Sequence, residues 1–201
     1  MRYETRLLIA VLAVSLATPL GAQTTGMPSF NAPYRAFQRS EFGAVVSFPD
    51  GSGTAFEGAY RYAHGRFDIG LRAGMFVPGG GANTSLLLGG EARERVITHT
   101  ADFPLDGALV AGIGTAIVSG NSALFIPVGI SLGRRVDPHG SSISIVPYVQ
   151  PTAILISDGG TNLDFTLGLG ADFRLSRVFD ARFSAGIGDL DGVSLGAVWV
   201  H

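Results

Sequence analysis

Between Leu163 and Leu175 every odd position is apolar: Leu163, Phe165, Leu167, Leu169, Ala171, Phe173 and Leu175. The even positions, Asp164, Thr166, Gly168, Gly170, Asp172 and Arg174, are polar or tiny. Alternation with a period of two places one set on each face of a β-strand. The pattern returns at once in Ala181, Phe183, Ala185 and Ile187 against Asp180, Arg182, Ser184 and Gly186. It returns again in Val193, Leu195, Ala197 and Trp199 against Ser194, Gly196 and Val198. Three strands joined by short turns predict an antiparallel meander.

The same reading extends back along the chain. Phe42, Ala44, Val46 and Phe48 predict a first short strand, and Pro49-Asp50-Gly51-Ser52-Gly53 a turn. A second strand runs about Thr54 to Ala63, and His64-Gly65 forms a hairpin turn. A third, Arg66 to Phe76, sets Phe67, Ile69, Leu71, Ala73 and Met75 against Arg66, Asp68, Gly70, Arg72 and Gly74. Ser85 to Arg93 reads as a fourth strand with a blurred period, and Glu94 to Pro104 as a long turn or strand extensions. Leu105 to Val118, Ser122 to Arg134 and Ser142 to Ile156 supply three more. Pro127, Pro147 and Pro151 each remove a ladder donor, so a bulge, kink or fraying is expected there. The count is ten strands, with eight as the fallback.

A soluble sheet hides its apolar face and dresses the other with Lys, Glu and Thr. Here the polar face is mostly Gly with charges of both signs, which suits a crowded interior. An outer-membrane barrel has apolar residues toward lipid and polar ones toward the lumen. The expected fold is therefore all-β, a closed antiparallel up-and-down transmembrane β-barrel spanning residues 41–201.

The beginning of the chain fits that class. Arg2 and Arg6 precede the apolar run Leu7 to Ala17 and then Thr18-Pro19-Leu20-Gly21-Ala22, so residues 1–22 read as a secretory signal peptide. The run is shorter than the roughly 20 residues a membrane-spanning helix needs. Residues 23–40, with Pro28 and Pro33 and no clean period, read as a periplasmic linker, although Phe30, Tyr34 and Phe37 could tuck into the barrel mouth.

Composition narrows the picture further. Charged residues make up 15% of the 201, cysteine is absent, and all fourteen basic residues are Arg. Mean hydropathy is +0.34, high for a soluble β protein. The net charge of −2, without a clustered basic face, gives no footprint for nucleic acid.

A signal peptide, an even-stranded alternating meander and a C-terminal stretch Val193, Leu195, Ala197, Trp199, His201 resemble the small outer-membrane barrels of the OmpA and OmpW type. In that family the last strand ends in an aromatic that the barrel-assembly machinery reads; here Trp199 lies two residues early. The resemblance implies outer-membrane lipid and the assembly machinery as partners, and both termini in the periplasm. The turns at His64-Gly65, Arg134 to His139 and Ser176-Arg177 would then be periplasmic, and Phe42, Phe67, Phe173, Phe183 and Trp199 would form an aromatic girdle near that side. The external turns are short, which argues against adhesin or receptor loops.

By parity the inward-facing charges are Glu57, Asp68, Glu91, Asp106, Asp164, Asp172 and Asp180, with Arg61, Arg66, Arg72, Arg93, Arg174 and Arg182. Near-balance of sign predicts mutual pairing rather than an ion filter, which favours one sign. Glycines at 70, 74, 168, 170, 186 and 196 free lumen volume that the large Arg side chains are expected to fill.

Candidate chemistry is sparse. His64, His99, His139 and His201 fall in turns, linker or terminus, no Gly-x-Ser-x-Gly occurs, and no His pair has metal-ligand spacing. Gly79-Gly80-Gly81 lacks the Gly-Lys-Ser/Thr of a phosphate cradle, and Asp189-Leu190-Asp191-Gly192 reads as turn chemistry rather than a calcium loop. The expectation is a non-enzymatic outer-membrane barrel without cofactor or metal, with a structural or interaction role and a salt-bridged lumen. The alternatives are a narrow channel for small solutes or ions, and a soluble lipocalin-like barrel around an apolar ligand.

Overall fold

The computed structural model describes residues 24–33, 39–51 and 53–201. The signal-peptide reading of residues 1–22, and Tyr34 and Phe37, lie outside these.

Ten strands form in sequence: β1 (Glu41–Pro49), β2 (Gly53–His64), β3 (Phe67–Pro78), β4 (Ser85–Ile97), β5 (Asp106–Val118), β6 (Asn121–Gly133), β7 (Ser144–Ser157), β8 (Thr161–Arg174), β9 (Phe179–Gly188) and β10 (Gly192–Val200). Each pairs antiparallel with its sequence neighbour, and β1 pairs with β10, closing an up-and-down barrel. The seam is complete, from Glu41↔Val200 to Pro49↔Gly192. Closure satisfies the ladder groups that an open edge would leave unpaired. The end where β1 begins and β10 finishes is called the lower end below, the other the upper end.

The uncertain stretch after Arg93 resolves into strand followed by loop. β4 continues to Ile97, with its register against β5 shifting between Arg95 and Ile97. The prolines act more gently than expected. The β5–β6 ladder skips the positions around Pro127, and the β6–β7 ladder those around Pro151, but each resumes in the same register. A missing N–H opens a gap in the ladder, and the neighbouring bonds hold the alignment across it.

The two faces separate as the alternation requires. Leu71 is 65% exposed and Ile113 55%, and Leu163, Phe165, Leu167 and Leu195 also point outward. Asp68, Arg93, Asp172 and Asp180 are buried inside. This is the reverse of a soluble barrel, which would turn Leu167 inward and Asp172 out.

The interior holds something the alternation does not predict. Thr24–Pro33, expected as part of a linker outside the barrel, lies within it, with all ten residues buried. Its position follows from its contacts. Met27 packs on Ala55 and Leu87 in the upper half, and Phe30 and Ala32 pack with Val146 and Tyr148. Asn31 meets Ser131, and Pro33 approaches Gly133 at the lower end of β6. The segment thus descends the lumen before the chain enters β1. Near the upper mouth Phe125, Ile154 and Ile156 form a small apolar cluster with Leu190 of the β9–β10 turn.

Candidate functional site

The lumen is the candidate site, and its chemistry begins with inward positions on adjacent strands. Asp68 of β3 stands opposite Arg93 of β4, and Gly70 stands between Arg61 of β2 and Glu91 of β4. Lacking a side chain, Gly70 lets the Arg61 guanidinium cross its strand; a Cβ there would lie 3.3 Å from Arg61 Cζ. Arg61 reaches Asp68 at 2.6 Å, Glu91 at 2.9 Å and Glu41 at 3.5 Å. Arg93 Nε lies 3.1 Å from Asp68 and 3.6 Å from Glu91.

A second group closes the other side. Arg182 of β9 faces Asp172 of β8 in register, with Nε 3.0 Å from its Oδ2. Its two terminal nitrogens each donate to one oxygen of Glu41 at 2.9 Å. This bidentate fork is the strong form of an Arg–carboxylate pair. Glu41 also meets Arg61, so it joins the two groups. Arg72 and Glu57 pair at 3.4 Å higher up.

The charged residues expected in the lumen divide as follows. Glu57, Arg61, Asp68, Arg72, Glu91, Arg93, Asp172 and Arg182 belong to these groups. Asp180 is buried at the lower end of β9, in register with half-buried Arg174. Arg66 does not belong: it is exposed in the β2–β3 turn and donates to the Arg95 carbonyl at 2.9 and 3.2 Å. Strand β3 begins at Phe67, one residue later than expected, so parity does not aim Arg66 inward. Asp106 is buried and has no Arg partner among the described residues; it accepts from the His99 backbone N–H at 3.0 Å and lies 3.1 Å from His99 Nδ1. Asp164 is half-buried near the upper end, opposite Ile154, with no ion pair among the described residues.

Glu41 escaped the sequence reading because the first strand was expected to start at Phe42. Extending its odd positions back by one residue places Glu41 inward.

The lumen's remaining volume goes to Thr24–Pro33 rather than to arginine. The wall grips this segment largely by its carbonyl groups. Tyr148 Oη donates to Phe30 O at 2.9 Å, Ser131 Oγ to Asn31 O at 2.8 Å, and Ser184 and Ser194 Oγ to Pro28 O at 3.1 and 3.0 Å. Phe30 N–H donates to Ser184 Oγ at 3.2 Å. Thr25 Oγ1 donates to Glu57 at 2.7 Å, Arg72 to Ser29 Oγ at 3.0 Å and Arg182 to Asn31 Oδ1 at 3.3 Å. Inward glycines give the segment room: a Cβ at Gly168 would enter the Phe30 ring, and one at Gly112 or Gly114 would strike Thr24. A cavity of about 40 Å³ remains beside Ser29, Asn31, Glu41 and Arg182. That is room for at least one water molecule.

Outside, Phe42 stacks on Trp199 with centroids 5.8 Å apart and planes 10° apart, and Phe179 meets Trp199 edge-on at 5.0 Å. Phe67 and Phe173 also lie toward the lower end, Phe173 half-buried. Phe183 does not: it pairs with Leu195 in the middle of β9, because that strand already starts at Phe179.

Two turns are tied by their own side chains. At the upper end Asp189 accepts from Phe165 N–H and Asp191 from Gly188 N–H, each at 2.8 Å. At the lower end Asp137 accepts from Ser144 Oγ at 2.5 Å and Arg135 Nε at 2.7 Å. The Ser144 and Arg135 hydrogen bonds hold the Asp137 carboxyl below the usual carboxylate range.

No protein-family model matches the chain, and no curated protein matches it. Among solved structures, the β domain of the Bordetella autotransporter BrkA is 13% identical, with 81% of this chain and 98% of that one covered at a TM-score of 0.48. A bacterial polysaccharide outer-membrane secretin is 12% identical, covering 86% and 67%, at a TM-score of 0.46. A de novo designed transmembrane β-barrel is 16% identical, covering 82% and 97%, at 0.42. At these scores none of the three speaks to function, which has to come from the chain's own residues.

Proposed function

We propose that this protein is an integral outer-membrane β-barrel with a closed lumen, serving a structural or interaction role rather than a catalytic one. The observation that carries the reading is the inverted barrel: large apolar side chains line its outside, while acids and arginines are buried within. In water, that outer wall would far exceed the apolar patch a soluble monomer exposes. In a bilayer the same wall meets lipid of like polarity, and closure of β1 on β10 leaves no open sheet edge. With both barrel ends of the chain at the lower end, that end is assigned to the periplasm, and β10 is the strand offered to the assembly machinery.

The non-catalytic reading rests on the histidines. His64, His99, His139 and His201 occupy strand ends, loops or the C-terminus, and the His99 ring is held by Asp106. Among the described residues no serine or threonine hydroxyl is hydrogen-bonded to any of them.

Refolding the chain from Gln23 in detergent and comparing gel mobility with and without heating tests the reading. A folded membrane barrel changes mobility on heating. A monodisperse, folded protein in detergent-free buffer would overturn it.

A further inference from the structure

Thr24–Pro33 sits in the barrel as a ligand sits in a receptor. Although it is fully buried, no backbone–backbone hydrogen bond joins it to a strand among the described residues; its one such bond is internal, from Ser29 N to Met27 O. The wall holds it with side chains: Ser131, Tyr148, Ser184 and Ser194 on its carbonyls, and apolar seats for Met27 and Phe30. The segment carries no charged residue.

The wall also keeps its charges paired without the segment. Arg61 and Arg93 meet Asp68 and Glu91, and Arg182 meets Glu41 and Asp172, all from strand to strand. Removing one member of a buried ion pair strands its partner. Removing Thr24–Pro33 breaks none of these pairs; Glu57, Arg72 and Arg182 lose only their hydrogen bonds to Thr25, Ser29 and Asn31, which entering water can replace.

The geometry points to a lumen that is a binding site for a short uncharged peptide, occupied by the chain's own Thr24–Pro33 and opening as a path for small solutes when that segment leaves. The inference rests on the membrane reading above. An eight-stranded barrel is just filled by its side chains, and ten strands enclose more. Glycines 89, 112, 114 and 168 face Thr24 or Phe30 and put no side chain of their own into the vacated track.

Planar-bilayer recording tests this with the chain from Gln23, and with a variant whose residues 24–33 are replaced one for one by Gly and Ser. The parent is expected to be silent apart from rare openings, and the variant to conduct steadily. The synthetic decapeptide Thr-Thr-Gly-Met-Pro-Ser-Phe-Asn-Ala-Pro should close the variant, while a scrambled peptide leaves its current unchanged. Steady conduction by the parent would overturn the inference. So would a silent variant that is folded by heat-dependent mobility. Failure of the parent to fold in detergent would instead count against the membrane reading, and failure of the variant alone would overturn the inference.

A thiol probe gives a second readout that leaves the segment intact, because the chain has no cysteine. Ser194→Cys, beneath Pro28, is treated with a charged thiosulfonate beside exposed Ser157→Cys. The expected result is immediate labelling at 157 and slow but complete labelling at 194, faster with the Gly-Ser segment. No labelling at 194 in either background would overturn the inference.

Discussion

Arg182 grips both carboxylate oxygens of Glu41 at 2.9 Å from a strand that is not its neighbour. β10 lies between them, with Gly196 paired to Arg182 on one side and to Val45 on the other. The fork therefore spans the closing seam. Arg182→Ala leaves Glu41 and Asp172 buried without this partner and is expected to cost about 3–5 kcal/mol. Glu41→Gln keeps the shape and should cost less. Urea unfolding of protein refolded in lipid vesicles, followed by Trp199 fluorescence, measures both; equal and small effects would mean the fork is dispensable.

Gly168 faces the ring of Phe30. Gly168→Val adds volume to an occupied site and is expected to push the ring aside, destabilising the protein by about 1–3 kcal/mol. Gly160→Ala, in an open turn where a Cβ meets nothing, is the control and should be neutral. A Gly168→Val protein as stable as the control would show that the ring adapts without loss.

Ile113 sits well inside β5 and Val178 in the β8–β9 turn at the lower end, both more than half exposed. For a bilayer-embedded wall, Ile113→Arg should cost ~2–4 kcal/mol and Val178→Arg ~0–1, because an arginine at mid-depth has no water to reach. The same unfolding assay reads the difference. Equal costs would argue that no lipid covers Ile113.

Asp137 sets a pH limit on the β6–β7 turn. Its carboxyl is held below its ordinary value in the folded protein by Ser144 and Arg135. The contribution is therefore present above the unfolded value near pH ~4 and is lost as pH falls through the lowered folded value. Protection against amide hydrogen exchange in residues 134–143, taken relative to the intrinsic rate at each pH, should fall under acid in the parent. Asp137→Asn should exchange faster at neutral pH and show no such acid step; an unchanged profile in that variant would place the order elsewhere.

The strands were legible because a period of two is written directly in residues such as those from Leu163 to Leu175. Which side of the wall each charge faces was legible for the same reason. Errors arose where a boundary was off by one: Arg66 fell outside its strand, and Glu41 inside one. Partners were beyond reach, since Arg61 meeting Asp68, Glu91 and Glu41 depends on strand stagger and on Gly70 lying between. Thr24–Pro33 was hidden for another reason. It follows no period, and the wall recognises its carbonyl groups, which every residue carries whatever its side chain.

The same segment fixes an order of events during assembly. Pro28, Phe30 and Asn31 are held by Ser184, Ser194 and Arg182, which lie between 151 and 166 positions further along the chain. These docking groups are in place only once β9 and β10 are, and contacts so distant in sequence form late because the intervening loop must first close. The stretch that precedes β1 therefore settles fully only after β10, and a chain truncated before β9 would lack every side chain that holds Pro28.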